Sequence, residues 1–162
     1  MRHIINLEVE NQSGVLARIA GLFSARGFNI ESLTVANAES EDESRMTLVV
    51  RGDDAIIEQV TKQLNKLIDI IRVVDITSNY YVGRELVLVR VNCPPTKRGD
   101  VYQVTEIFGA KVVDISHKTM TMEIVGPEEK IDAFLETMRP FGIKEVARTG
   151  PIAMLRESKK KL

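Results

Sequence analysis

The chain has 162 residues, a net charge of −1 and an isoelectric point near 6.2, so no global basic field draws it to nucleic acid or to an anionic membrane. Its single cysteine, Cys93, excludes an internal disulfide and fits a reducing compartment. The sequence shows no secretory signal and no apolar run long enough to span a bilayer. We therefore expect a soluble, globular, cytoplasmic protein.

The first half of the chain predicts a strand, a helix, two strands, a helix and a strand. The first strand alternates apolar and polar residues, and each helix has one apolar face. The expected inward residues are Ile5, Leu7 and Val9 of the first strand, Val15, Ile19, Leu22 and Phe23 of the first helix, and Ile56, Ile57, Val60, Leu64 and Leu67 of the second helix. The other strands are expected at Ile30–Ala36, Arg45–Arg51 and Asp69–Ile76.

The ends of these helices carry recognisable cap residues. Asn11 or Ser13 can accept a hydrogen bond from the first helix, and Asp53 or Asp54 can do the same for the second. Gly27 stands where the first helix should end, in the left-handed conformation that glycine adopts readily.

The second half repeats the same order of elements. Its strands are expected at Glu85–Val91, Lys111–Ser116, Thr119–Val125 and Ile143–Arg148. One helix is expected at Lys97–Phe108, and another starts with Pro127 at its first position and stops before Pro140. Their inward residues should be Val101, Val104 and Phe108 in the former, and Ile131, Phe134, Leu135 and Met138 in the latter.

This order predicts an α+β protein of two tandem ferredoxin-like βαββαβ domains. The expected boundaries are a first domain at 3–77, a linker at 78–84, a second domain at 85–155 and a basic tail at 156–162. Each domain is small and leaves open sheet edges, so we expect a dimer. The strand Ile30–Ala36 is the expected edge for that pairing.

The sequence gives little support for catalysis or for a metal site. His3, His117 and Cys93 lie outside any nucleophile or metal motif, and we expect structural or surface roles for them. The acidic stretch Glu39–Glu43 matches no EF-hand, so a solvated loop is favoured over a loose Mg²⁺ or Ca²⁺ site. An RNA recognition motif has the same element order, but the two central strands here lack its stacking aromatics.

The connection between the first strand and the first helix is the strongest candidate site. It reads ENQSGVL at residues 10–16, a polar turn with one glycine before a helix N-terminus. Free N–H groups near Gly14, Val15 and Leu16 could bind a carboxylate. Asn11 and Asn29 could supply amide groups, with Asn29 and Ile30 contributed by a second chain paired along the edge strand. The alternative is that these residues only shape a turn.

Residues 10–24 (ENQSGVLARIAGLFS) and 26–35 (RGFNIESLTV) strongly resemble the small regulatory subunit of acetolactate synthase, or acetohydroxyacid synthase, which opens with an ACT domain. The resemblance continues at Ser44–Thr47 and Gln63–Leu67, and in the second half at Thr105–Phe108, Val113–Ile115 and Glu145–Gly150. Gly109 departs from the family, many of whose members have arginine there, and this leaves open any contact with the catalytic subunit at that position.

The resemblance implies a subunit without an active site of its own. It would activate a catalytic large subunit and confer feedback inhibition by valine, with leucine and isoleucine as further candidate effectors. Thiamine diphosphate, Mg²⁺ and FAD are implied only for that large subunit, and no cofactor or metal for this chain. By motif position the valine contacts are Asn11, Gly14, Val15 and Leu16 of one chain with Asn29 and Ile30 of a partner in an ACT-domain homodimer.

Two other functions stay open at this point. The chain could be a stand-alone ACT-type module that binds an amino acid and regulates a different enzyme or a transcriptional regulator. It could also be a purely structural assembly subunit with a vestigial ligand site.

Overall fold

The computed structural model describes residues 1–157, and most of the basic tail, 158–162, lies outside the described residues. The chain divides into two compact units. The first unit comprises Met1–Val82 together with residues 152–157, and the second comprises Gly83–Pro151. Within the described residues, no helix is long and apolar enough to cross a membrane.

The first unit is a four-stranded antiparallel sheet with two helices, and it has the strand order β2-β3-β1-β4. The ferredoxin-like order predicted from the sequence is confirmed, with β2 at one edge. The elements of this unit are β1 (Arg2–Glu10), α1 (Val15–Ser24), β2 (Ile30–Asn37), β3 (Glu43–Arg51), α2 (Asp54–Leu64) and β4 (Ile70–Asp75).

The core of the first unit joins one face of the sheet to the two helices. Its buried side chains are the alternating residues of β1 and most of the predicted apolar faces of α1 and α2, while Leu22 and Leu67 pack at its rim. Ile56, which was also expected to face inward, is only half-buried. Asp53 is the cap of α2, since its carboxylate accepts a hydrogen bond of 2.8 Å from the Ile56 N–H. The buried residues of β1 and the two helices are Ile5, Leu7, Val9, Val15, Ile19, Phe23, Ile57, Val60 and Leu64.

A short strand that the sequence analysis missed, β9 (Ile152–Leu155), belongs to the first unit. The side-chain amide of Asn6 donates a hydrogen bond of 2.9 Å to the Ala153 carbonyl. Ala153 also packs in a small cluster with Ile4 and Val49. Part of the sheet face expected to be polar is therefore covered, and residues 152–155 leave the second domain to which the sequence assigned them.

The second unit repeats the architecture with the strand order β6-β7-β5-β8. Strand β5 already begins at Tyr81, within the stretch expected to be a linker. Pro127 is the N-cap residue of α4 and not its first residue. The elements are β5 (Tyr81–Asn92), α3 (Arg98–Ile107), β6 (Lys111–Ile115), β7 (Thr119–Gly126), α4 (Glu128–Met138) and β8 (Ile143–Arg148).

A charged contact accompanies the aliphatic core of the second unit. Arg148 forms two hydrogen bonds of 2.7 Å to the carboxylate oxygens of Glu85, whose side chain is only 3% exposed. Asp132 of α4 lies 3.3 Å from the same guanidinium. These carboxylates raise the pKa of Arg148 further above its ordinary value, so this contact between β5, β8 and α4 stays charged at any physiological pH.

Candidate functional site

The turn between β1 and α1 depends on Gly14. This residue has φ +88° and is the N-cap of α1, in the left-handed region that other residues enter only at a cost. No side chain caps the helix, so the expected cap by Asn11 or Ser13 is wrong. The start of α1 is left open because a glycine conformation, and not a side chain, begins the helix.

The open helix start leaves backbone donors available. In the described part of the chain, the N–H groups of Gly14 and Leu16 have no hydrogen-bond acceptor. The Val15 N–H makes a long bond of 3.4 Å to the Gln12 carbonyl, and the first regular helical bond runs from Arg18 to Gly14 at 3.0 Å. Unpaired N–H groups and the helix dipole together favour an anion of carboxylate size at this turn.

A cation next to the turn strengthens this preference. A Cβ atom placed on Gly14 would lie 3.3 Å from Nη1 of Arg18, so the guanidinium is directly beside the turn. Arg18 Nε donates a hydrogen bond of 2.7 Å to the carboxylate of Asp69, whose side chain is 8% exposed. The Asp69 carbonyl in turn accepts a bond of 2.9 Å from the Glu10 N–H. Asp69 thus holds the guanidinium at the helix start.

Arg18 is a residue of the candidate site that the sequence did not reveal. The signal was its position four residues after Gly14, which places both on the same face of the helix. Its partner Asp69 could not be found in this way, because a contact between residues 18 and 69 depends on how the sheet folds.

Asn11 contacts the loop between β2 and β3. Its backbone N–H donates to the Asp42 carbonyl at 2.7 Å, and its side-chain Nδ2 donates to the Glu41 carbonyl at 2.8 Å. The same nitrogen lies 3.4 Å from Oδ1 of Asn37. The Asn11 amide nitrogen is therefore engaged in holding the acidic loop, and its oxygen is the atom left for a ligand.

The acidic loop is fixed by these bonds but gathers no metal site. Among the described residues, no group of three or more His, Cys, Asp or Glu side chains is placed to hold a metal ion.

Val15 and Leu16 differ in what they offer to a ligand. The Val15 side chain is 3% exposed and belongs to the core, so only its backbone faces the turn. Leu16 is 41% exposed, and its side chain is the apolar group available beside the free N–H groups. This makes Leu16 the candidate contact for an aliphatic ligand body.

Asn29 and Ile30 lie at the other end of α1. Gly27, with φ +70°, ends the helix as predicted, and the Phe28 N–H bonds back to the Phe23 carbonyl at 3.0 Å. In the sheet register Ile30 pairs with Val50, whereas Asn37, which adjoins Asn11, pairs with Ser44. Ser44 and Val50 are six positions apart along β3, about 20 Å at ~3.4 Å per residue. One chain does not bring the two halves of the expected site together.

The candidate catalytic residues are in unreactive surroundings. Cys93 is fully buried, and burial raises the pKa of its thiol despite the opposing charge of Arg98, so it is not a ready nucleophile. His3 is buried, with Nδ1 3.2 Å from Asp75 and Nε2 3.4 Å from Asp54. His117 is exposed in the turn between β6 and β7.

Comparison with known proteins covers both units. The profile of an ACT domain like that of the AHAS small subunit matches residues 5–72, and the profile of the small subunit of acetolactate synthase matches residues 84–157. The probable acetolactate synthase small subunit of Archaeoglobus fulgidus is 56% identical over 160 residues, 99% of this chain and 100% of that protein. The chain belongs to the acetolactate synthase small-subunit family.

Two further members of the acetolactate synthase small-subunit family support this assignment. The Aquifex aeolicus acetolactate synthase small subunit is 52% identical over 157 residues, 96% of this chain and 82% of that protein. The crystal structure of the acetolactate synthase small subunit from Thermotoga maritima matches with a TM-score of 0.87 at 36% identity, covering 97% of this chain and 98% of that one. The family resemblance read from the motifs is confirmed across nearly the whole chain.

Proposed function

We propose that this chain acts in the cytoplasm as the regulatory subunit of acetolactate synthase. It binds the catalytic large subunit, raises its activity and confers feedback inhibition by valine. The large subunit, with its thiamine diphosphate, Mg²⁺ and FAD, performs the condensation of pyruvate to acetolactate. The observation that carries the proposal is the open helix start at Gly14, with unpaired N–H groups beside the Arg18 guanidinium, in a chain of this family.

The valine site is proposed to be shared by two copies of the chain. The carboxylate of valine binds the N–H groups of Gly14 and Leu16, and its aliphatic side chain contacts Leu16. The Asn29 amide of the second copy binds the amino acid from the other side, with Ile30 beside it. Asn11 contributes its side-chain oxygen as an acceptor for the ammonium group.

The register of β2 supports this sharing. Antiparallel pairing of two β2 edges about their midpoint sets Ile30 of one copy next to Asn37 of the other. Asn37 lies 3.4 Å from the Asn11 amide of its own chain. Residues that are about 20 Å apart in one chain therefore meet across the pair. A ligand bound there contacts both copies and stabilises their pairing.

Valine inhibits by preferring one arrangement of the paired ACT domains while the catalytic subunit prefers another. Such coupling is typically about 1–3 kcal/mol and is reciprocal, so binding of the catalytic subunit weakens valine binding by the same factor. One methylene is worth about 1–3 kcal/mol in an aliphatic pocket. The site should therefore distinguish valine from leucine or isoleucine only modestly.

Reconstitution with the cognate catalytic subunit tests this function. Acetolactate formation should rise when the chain is added and fall when valine is then supplied. Calorimetry on the chain alone should give a saturable heat with valine. No heat at millimolar valine would favour a purely structural subunit, and capture of a different enzyme in a pull-down would favour a stand-alone module.

A further inference from the structure

An open cleft in the first unit, distinct from the Gly14 turn, is lined by arginines. We name it the arginine cleft; it is bounded by the uncovered face of the sheet and by residues 154–157 at and after β9, and its volume is about 320 Å³. This is within the usual range for small-molecule sites, about 300–1,000 Å³. The bond from Asn6 to the Ala153 carbonyl fixes β9 at its side.

The sheet side of the arginine cleft carries one unneutralised positive charge. Glu8 of β1 pairs in register with Arg45 of β3 on one side and with Arg72 of β4 on the other. Arg45 takes the carboxylate, with Nη2 2.9 Å from Oε1 of Glu8. Within residues 1–157 the Arg72 guanidinium has neither a hydrogen bond nor an ion pair in the structure.

The opposite side of the cleft adds a second free guanidinium. Arg156 follows β9, and its backbone N–H donates a bond of 2.9 Å to the Tyr80 carbonyl, which fixes its place. Its side chain has no acidic partner among the described residues. Glu157 also lines the cleft. Three arginines and two glutamates leave a charge of +1, which matches a monoanion.

Apolar side chains complete the wall. Met154 is 59% exposed and Leu155 36% exposed, and both line the arginine cleft together with Val74. Exposed apolar surface next to two unpaired guanidinium groups suits a ligand with a short aliphatic body and one acidic group. A dianion would add a second negative charge close to Glu8 and Glu157.

We propose that the arginine cleft binds a small aliphatic monocarboxylate. The guanidinium groups of Arg72 and Arg156 hold its carboxylate, and its aliphatic body packs on Met154 and Leu155. Because the cleft is open to water, these charge pairs are screened and the affinity should be in the millimolar range. Bound ligand ties β4 to the segment after β9, so it should slow hydrogen exchange in that segment.

Titration of the full chain with isobutyrate tests the site. Nuclear magnetic resonance should show saturable shifts at Arg72 Nε and at the amides of Met154 and Leu155, and hydrogen exchange of residues 152–156 should slow. The titration is repeated with saturating valine, which occupies the proposed site at the Gly14 turn, so that the remaining shifts report on the arginine cleft. If these signals do not move, the proposal is wrong.

Matched variants decide which groups bind. Arg72→Met and Arg156→Met should each weaken isobutyrate binding about fivefold, the factor for an exposed ion pair near 1 kcal/mol. Arg26→Met, which changes an exposed arginine at the end of α1, should leave the affinity unchanged. Equal losses in all three variants would overturn the proposal. So would tighter binding of succinate or inorganic phosphate than of isobutyrate.

The outcome is independent of the proposed regulatory function. Arg72→Met should leave valine inhibition of the reconstituted enzyme intact, since Arg72 lies outside the Gly14 turn. Absence of isobutyrate binding in the unmodified chain, with valine inhibition present, would overturn only the arginine-cleft proposal. Absence of valine inhibition in the unmodified chain removes only the proposed function.

Discussion

The two units share one architecture but differ at the connection from the first strand to the first helix. In the first unit this connection contains Gly14 and leaves N–H groups open at the start of α1. In the second unit it contains Pro94 and a short 3₁₀ turn that begins at Pro95. Proline has no N–H group, so this connection offers fewer donors to an anion. The same fold thus has a turn with open N–H groups in the first unit and a proline-containing turn in the second.

The residues that follow the corresponding helices, α1 and α3, also differ between the two units. Both end at a glycine with positive φ, Gly27 in the first unit and Gly109 in the second. Two residues later the first unit has Asn29, an exposed amide. The second has Lys111, whose ammonium lies 4.0 Å from Glu123 on the neighbouring strand. Only the first unit has both halves of the proposed amino-acid site, whereas the second has a similar backbone with a paired lysine in place of the amide.

The largest expected effect comes from the ion pair that has a structural role in the second unit. Arg148→Met leaves the Glu85 carboxylate nearly buried without its partner. Because Arg148 is itself partly exposed, we expect a loss of about 3 kcal/mol, the low end for breaking a buried pair. Urea unfolding measures this loss of unfolding free energy.

In the first unit, Arg18→Met should cost less stability and instead weaken valine binding, since Arg18 is half exposed beside the turn.

The second prediction addresses the helix ends. Asn29→His should raise the valine concentration needed for half inhibition about a hundredfold, near 2.7 kcal/mol, while activation of the catalytic subunit is retained. Lys111→His, at the corresponding position of the second unit, is the control and should leave inhibition unchanged. Both are measured by acetolactate formation in the reconstituted enzyme. Full valine sensitivity of Asn29→His would show that the site assignment is wrong.

The third prediction concerns the glycine of the open turn. Gly14→Ala forces a side chain into the left-handed region and against Arg18, which should destabilise the first unit by about 1–2 kcal/mol. Gly21→Ala is the matched control, because nothing lies within 4 Å of the added atom. Replacing a glycine inside a helix should stabilise by about 0.5–1 kcal/mol. In urea unfolding, the free energy of unfolding should fall for Gly14→Ala and rise for Gly21→Ala. A change in the same direction for both variants would contradict the role given to Gly14.

The smallest effect is a pH dependence of stability that arises from Cys93, next to Pro94 in the second unit. Burial raises the pKa of the Cys93 thiol in the folded chain, so its contribution to stability is present at neutral pH and is lost as the pH rises above about 9. The difference in unfolding free energy between the unmodified chain and Cys93→Ala should be constant from about pH 6 to 8 and shrink at higher pH. A constant difference up to pH 10 would rule this out.

Local pattern was enough for most of the fold. Alternation in β1 and the apolar faces of α1 and α2 predicted the core of the first unit because those periods follow from strand and helix geometry. Strand β9 was missed, since four residues give little periodicity and its covering of Ile4 depends on residues about 150 positions away. The polar face expected for β1 was partly buried for the same reason.

The candidate site was predictable only in part. The glycine turn and the helix end at Gly27 carry local signals, and both are where the sequence placed them. The hydrogen bonds of Asn11 to the loop at Glu41 and the contact of Arg18 with Asp69 are long-range. A cap by Asn11 was a reasonable local expectation, but its amide is used across the sheet, where the loop offers a carbonyl.

The separation of Gly14 and Asn29 at opposite ends of α1 has a genetic consequence for the proposed shared site. Each pair of chains holds two sites, and each site takes its turn from one chain and its amide from the other. A chain defective at the turn and a chain lacking Asn29 are both insensitive on their own. Mixed together, they form a heterodimer in which one site inherits both defects and the other is whole. Two alleles that each encode a valine-insensitive chain would then complement each other and restore part of the inhibition by valine.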